Sequence, residues 1–279
     1  MRPAEAVRPA PPAPPRPKHR RAWTIAALLS AVLVVAPVAC QVLGYGVTRS
    51  SILYGGSGGR PVTVVEIVAG DANVTVTPRS DQEVGYRAEV RWSLGAPAVE
   101  ESWLGDSLRL TPRCSDAESL LGANGGCSVN LGVTVPAGIP VKVTAGAGQV
   151  ALKGLGGSVD VNVGSGALTL TGLRGDLRAE VGSGSLVARD LTSARADVRV
   201  GSGRGEAVFL TPPERVTARA GSGRVRLTLP AAARFRVACE VGSGRCEVPE
   251  ALRDPGAARV LDMAANSGRI QAGYPDPMP

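Results

Sequence analysis

The stretch LRAEVGSGSLVA, from Leu177 to Ala188, decides how this chain is read. Its first half alternates. Leu177, Ala179 and Val181 are apolar, while Arg178 and Glu180 between them are charged. Gly182-Ser183-Gly184 interrupts the pattern, and it resumes with Leu186 and Ala188. Period-two alternation over a short run marks a half-buried strand. Paired glycines between two such runs mark a corner where backbones approach closely.

The same unit recurs on both sides. Val163-Gly164-Ser165-Gly166, Val181-Gly182-Ser183-Gly184, Val200-Gly201-Ser202-Gly203 and Val241-Gly242-Ser243-Gly244 are copies, and Ala220-Gly221-Ser222-Gly223 fills the gap. Gly146 heads an earlier variant, and Asn266-Ser267-Gly268 is a degenerate seventh. The flanks alternate in each unit. Val159, Val161 and Val163 precede one corner, and Leu168 and Leu170 follow it; Val237, Cys239 and Val241 precede another, and Cys246 and Val248 follow. One such unit cannot bury its apolar face, so the units must stack around a shared core between two sheets. The predicted fold class is all-β: two-strand coils with Gly-Ser-Gly corners, stacked in chain order. Residues 146–279 form the regular coils and a C-terminal coil. Residues 61–145 form an irregular lead-in to the same domain, with a weak corner at Ala69-Gly70-Asp71.

The repeated serine does not read as chemistry. A serine nucleophile needs a base beside it, and the sole histidine is His19, near the N-terminus. A phosphate loop needs a helix start and a lysine after its glycines. Calcium-binding β-helix repeats carry an Asp that the regular units lack. No catalytic residue, cofactor or metal ligand is therefore assigned. Gly164, Gly166, Gly182, Gly184, Gly201, Gly203, Gly221, Gly223, Gly242 and Gly244 are read as structural corners.

Upstream of the repeats the chain changes character. Residues 1–22 are Pro-rich, end in Lys18-His19-Arg20-Arg21, and are expected to be a disordered cytoplasmic tail. Residues 23–43, WTIAALLSAVLVVAPVACQVL, carry no formal charge and are long enough to cross a hydrocarbon core as a helix. The basic cluster before them sets the N-terminus in the cytoplasm. An uncleaved anchor is the leading reading. A cleaved signal peptide and a lipoprotein modified at Cys40 are the rivals, the latter with Pro37 where a lipobox has leucine. Residues 44–60 read as a flexible linker, and 61–279 as the extracytoplasmic domain.

The net charge of +7 resides mostly in the tail. Six of the basic residues and one acid lie in 1–43, which leaves the rest close to neutral. Neither this balance nor any motif points to nucleic acid. Cys114 and Cys127 form one local pair, Cys239 and Cys246 another. Export permits disulfides, and without CxxC spacing or a second histidine a zinc site is the weaker reading. Cys239 and Cys246 both fall on inward positions.

The basic tail with its membrane helix, the segment RWS…LRLTPRC…C…VTVPAG (Arg91 to Gly138) and the Val-Gly-Ser-Gly units together resemble a known family. It is the bacterial "putative adhesin" family of β-strand-repeat domains of unknown function, common in actinobacterial envelopes. The resemblance covers about residues 60–279. It implies a right-handed β-solenoid-like domain displayed outside a membrane, and it brings no catalytic residues with it.

One column exceeds architecture. The position after each corner reads Gln149, Ala167, Ser185, then Arg204, Arg224, Arg245 and Arg269, with Arg199, Arg219 and Arg226 nearby. Stacked like charges oppose folding unless paired. Either Glu206, Glu240 and Glu247 neutralise them, or they form an anion-binding strip for teichoic acid, phospholipid headgroups or an anionic glycan. The leading functional reading is a non-catalytic, single-pass cell-membrane protein, adhesin-like or binding an envelope component. Its partners would be the membrane and an anionic envelope polymer or another envelope protein. The alternatives are an accessory sensor or scaffold in envelope-stress signalling, and a β-solenoid carbohydrate-active enzyme. The last lacks a convincing carboxylate pair, because the acids alternate with arginines.

Overall fold

A computed structural model describes residues 24–35, 48–93, 95–114 and 127–275, in two compact units that divide between Val47 and Thr48. In the first unit residues 24–35 are helical, with Ile25, Leu28, Leu29, Val32 and Leu33 all exposed. Among the described residues no helix is long and apolar enough to cross a membrane. The tail 1–22, both ends of the expected span 23–43, and Cys40 lie outside the described residues.

The second unit is all-β, one 18-stranded sheet. Its strands are β1 (Arg49–Gly56), β2 (Val64–Gly70), β3 (Asn73–Arg79), β4 (Gly85–Trp92), β5 (Ala98–Leu104), β6 (Ser107–Arg113), β7 (Ser128–Pro136), β8 (Val141–Lys153) and β9 (Val159–Thr171). They continue as β10 (Leu177–Leu191), β11 (Arg195–Val200), β12 (Arg204–Phe209), β13 (Arg215–Ala220), β14 (Arg224–Thr228), β15 (Arg236–Val241), β16 (Arg245–Glu247), β17 (Val260–Ala265) and β18 (Arg269–Gly273).

The repeat units pair in parallel and in register. Val161 of β9 stands between Val143 of β8 and Ala179 of β10, and Leu168 stands between Val150 and Leu186. In β8 to β10 the chain runs through the corner as one long strand, and from β11 onward each unit is split into two. Alternate residues point inward as columns, so Val143, Val161, Ala179, Val198 and Ala218 are all fully buried. Leu155 and Leu173, from the turns between units, and Leu191, at the end of β10, are buried as well. Burying a Leu or Val side chain contributes about 1.5–3 kcal/mol relative to leaving it exposed, and no single unit could realise this alone.

The lead-in is more regular than its sequence suggests. β2 and β3 stack on the two halves of β8, and Ala69-Gly70-Asp71 turns the corner between them, Gly70 with φ +56°. The antiparallel elements lie beyond: β4 between β1 and β7, and the β5–β6 hairpin beside β2. Residues 49–56, expected within the 44–60 linker, are instead β1, hydrogen-bonded along its whole length to β4. Only Leu53 alternates inward among exposed neighbours, and flanking glycines hide so short a signal.

The stack also departs from chain order. β13 pairs with β17, and β15 pairs with the other edge of β17. The coil from Val260 to Gly273 is therefore inserted between the coil from Arg215 to Thr228 and the coil from Arg236 to Glu247. Exposure follows this order. Leu261, Met263 and Ile270 of the inserted coil are no more than 3% exposed, whereas Val241 of the outermost coil is 53% exposed. The inserted coil takes the inner place, and the coil closed by cysteines takes the end. Phe235 and Leu252 are buried within the connections, and the Tyr274 hydroxyl lies 2.9 Å from the carbonyl oxygens of both Ala233 and Ala251, its one proton shared between them.

Both cysteine pairs are disulfides. Cys114–Cys127 joins Cα atoms 6.0 Å apart, and Cys239–Cys246 joins the two strands of the outermost coil across 6.5 Å.

Candidate functional site

Gly-Ser-Gly corners stack directly upon one another. A Cβ on Gly182 would lie 2.7 Å from the carbonyl oxygen of Gly164, and one on Gly184 would run into that of Gly166. The glycines are thus required by backbone packing, as the corner reading expects. The serines between them project from that packed backbone: Ser202, Ser222, Ser243 and Ser267 are exposed.

Two residues beyond each serine, on the same outward face, comes the arginine column. Register partners run Ser185 to Arg204, Arg204 to Arg224, Arg224 to Arg269, and Arg269 to Arg245. Four Ser-Gly-Arg tripeptides therefore form one ladder, in the order 204, 224, 269, 245, with guanidinium-bearing strands about 4.8 Å apart. They line a groove of about 780 Å³ whose walls consist of Gly, Ser and Arg alone, from Gly184 to Arg269. Among the described residues no carboxylate, imidazole or aromatic ring lines it.

The ladder is largely unneutralised. Arg269 pairs with Glu247 at 3.4 Å, while Arg204, Arg224 and Arg245 make no ion pair among the described residues. The expectation that Glu206, Glu240 and Glu247 would neutralise the column holds only for Glu247. Glu240 lies on β15, on the other strand of its coil, opposite Ala264. Glu206 sits opposite Arg226, one outward row further on.

Three of the predicted strip residues fall elsewhere. Arg226 is on β14 beyond Arg224 and outside the groove. Arg199 and Arg219 are on β11 and β13, the first strands of their coils, and both are held by Asp197. Arg199 makes a two-pronged contact to it at 3.1 and 2.7 Å, and Arg219 approaches to 3.7 Å. The bond to Asp197 raises the Arg199 pKa above its ordinary value, so it stays a fixed cation.

The other face carries a different charge pattern. Its outward row reads Arg109, Glu66, Lys142, Asp160, Arg178, Asp197, alternating in sign strand by strand. Arg109 meets Glu66 at 2.8 Å, Lys142 meets Glu66 at 3.9 Å, and Arg178 meets Asp160 at 3.9 Å.

The structure supplies two features that the sequence reading missed. The serine column belongs to the site, and its signal was the tripeptide itself, since Ser-Gly-Arg replaces Ser-Gly-Ala and Ser-Gly-Ser after the third unit. Gly55-Gly56-Ser57-Gly58-Gly59 also has the spacing of a nucleophile elbow. Ser57 is 2% exposed, however, and its hydroxyl accepts from the Val84 amide at 3.1 Å, which makes it a tie between strands. Among the described residues no group of His, Cys, Asp and Glu could hold a metal ion.

No protein-family model matches this chain, and no curated protein matches it. Solved structures do. A "putative lipid binding protein" from Parabacteroides distasonis is 11% identical with a TM-score of 0.44, covering 82% of this chain and 97% of that one. A "putative adhesin" from Parabacteroides merdae is 10% identical with a TM-score of 0.43, covering 81% and 96%. A "putative cell adhesion protein" from Clostridium sporogenes is 10% identical with a TM-score of 0.36, covering 81% and 100%. Likeness at this level carries no functional assignment to this chain.

Proposed function

We propose that this chain is a non-catalytic, single-pass membrane protein of the cell envelope. Its extracytoplasmic domain is a right-handed β-solenoid-like stack that binds an anionic envelope component in an adhesin-like role. The observation that carries the reading is the Ser-Gly-Arg ladder: four arginines share one outward row, and three of them have no acid partner among the described residues. Like charges at strand spacing cost stability. On the opposite face one row alternates in sign, and the stacked pairs Arg195–Arg215 and Arg199–Arg219 beside it are held by Asp176, Asp262 and Asp197.

Three further features support the setting. Two disulfides suit an oxidising compartment. The helical residues 24–35 carry no charge and follow the basic cluster at Lys18 to Arg21, as an N-terminus-inside anchor would. The groove offers hydrogen-bond donors and positive charge but no general base, which favours binding over turnover.

The test is a pull-down of purified envelope fractions with the full chain, compared with Arg224→Glu/Arg245→Glu, at low and high salt. Salt-sensitive retention that the double reversal abolishes is expected. Equal retention by both proteins, or retention of a single protein partner independent of salt, overturns the reading.

A further inference from the structure

We infer that the ligand is a linear polymer bearing phosphate groups, laid along the stack axis across the strands, with one rung contributing one guanidinium and one serine hydroxyl. The inference rests on the reading above and specifies the ligand of that site.

Geometry sets the direction. The strands are parallel and in register, so Arg204, Arg224, Arg269 and Arg245 project the same way in single file. Three steps of about 4.8 Å give a row of about 14 Å from first to last. A small anion reaches one or two of these arginines and leaves the others repelling each other. Only a ligand whose charges are themselves in a row, running perpendicular to the strands, relieves the whole ladder.

Chemistry narrows the class. Each rung presents a planar guanidinium fork and, two residues earlier, an exposed hydroxyl in the same groove. A carboxylate places both oxygens in one plane, and a single fork satisfies them. A tetrahedral phosphate directs oxygens out of that plane, where a serine of the same or the next rung can donate to it. The walls favour a phosphate polymer without bases. Single-stranded nucleic acid is held by bases stacking on aromatic rings, and no aromatic residue lines the groove. A bilayer offers a field of headgroups with no fixed row, so it would not show the dependence on ligand length that a single-file ladder imposes.

The row has defined ends. On one side the column changes to Ser185 and Ala167, which bring no charge. On the other it stops at Arg245 in the outermost coil. Affinity should therefore rise with ligand length and then level off.

The experiment titrates the full chain with inorganic phosphate, triphosphate and a series of longer linear polyphosphates. Polygalacturonate and phosphatidylglycerol vesicles serve as controls. Affinity is expected to rise at least about tenfold from triphosphate to a chain that spans the ladder, and little beyond it. Each Arg→Gln substitution at 204, 224 or 245 should lower the slope of log affinity against log salt by about one. Arg224→Lys should keep the slope but weaken binding, because it keeps the charge and loses the fork. Thermal unfolding of each variant separates lost binding from lost folding.

Length-independent binding, preference for polygalacturonate, or ladder-dependent binding to vesicles overturns the inference and leaves the broader anion-binding reading standing. Ladder-dependent retention of envelope material without polyphosphate binding does the same. Failure of both the polyphosphate and the envelope experiments overturns both.

Discussion

Arg224 of β14 stands directly opposite Arg269 of β18, although Arg245 is the nearer arginine in sequence. This one contact joins the two unusual features of the domain. It exists because the last coil is inserted beneath the one before it, and it brings together two cations with no carboxylate on Arg224 to separate them. Insertion changes the order of the arginines without breaking the column. A stack built in strict chain order would place Arg245 in the middle of the ladder; here it is at the exposed end.

Coil order is testable by cross-linking. Thr217 is the register partner of Asp262, and Asp262 is in turn the partner of Ala238. Adjacent strands lie about 4.8 Å apart, within disulfide range, whereas the next strand over lies beyond the roughly 7 Å limit. A Cys pair at Thr217 and Asp262 should cross-link on oxidation, and a pair at Thr217 and Ala238 should not. Peptide mapping without reduction would show the reverse if the coils stacked in chain order.

The corners separate architecture from chemistry. Gly184→Ala forces a methyl group into the Gly166 carbonyl and should cost about 2 kcal/mol or more, read as a lower denaturation midpoint. Ser183 is exposed and lies outside the ladder groove, so Ser183→Ala should stay within about 0.5 kcal/mol. A large loss from the serine change would reopen a chemical role for the motif.

The Cys239–Cys246 bond closes a loop with a sequence separation of 7 in the coil with the least burial. Chain-entropy arguments put such a short cross-link at about 2–3 kcal/mol. Replacing both cysteines by serine should speed amide hydrogen exchange across residues 236–248 and leave β8 to β10 unchanged. Uniformly faster exchange would show that the bond supports the whole stack and not its end.

Tyr86 couples the lead-in to pH. Its hydroxyl donates to Glu101 at 2.7 Å. Burial first, and then that hydrogen bond beside a carboxylate, push its pKa from 10.0 up to about 12. Below the unfolded value both states are neutral, and the contribution is complete. Between the two values the unfolded chain releases a proton that the folded chain keeps, so stability falls as pH rises. Urea unfolding from about pH 9 to about pH 12 should show this decline, and Tyr86→Phe should flatten it relative to the parent. Identical pH profiles would place Tyr86 outside the linkage.

Much of this was legible before any coordinates. Alternation around Gly-Ser-Gly fixes which residues point inward, because a strand has only two faces, and Val161, Ala179 and Leu186 are buried accordingly. The arginine column follows from the same register. Coil order was not legible, since corners recurring every 18 to 24 residues read as sequential stacking. Periodicity assigns each residue to a face and carries no information on which coil lies beside which. Nor was the fate of Arg199 and Arg219. They sit close in sequence to the column but on the other strand of each coil, where Asp197 engages both.

The central claim is that the Ser-Gly-Arg ladder is where an anionic ligand binds. The most direct measurement is the nuclear magnetic resonance of the arginine Nε–H groups while the protein is titrated with linear polyphosphate. Resonances of Arg204, Arg224, Arg269 and Arg245 should shift together and saturate at one ligand concentration, while those of Arg199 and Arg219, held on Asp197, stay in place. Shifts confined to Arg199 and Arg219, or none at the four ladder arginines, would contradict the account.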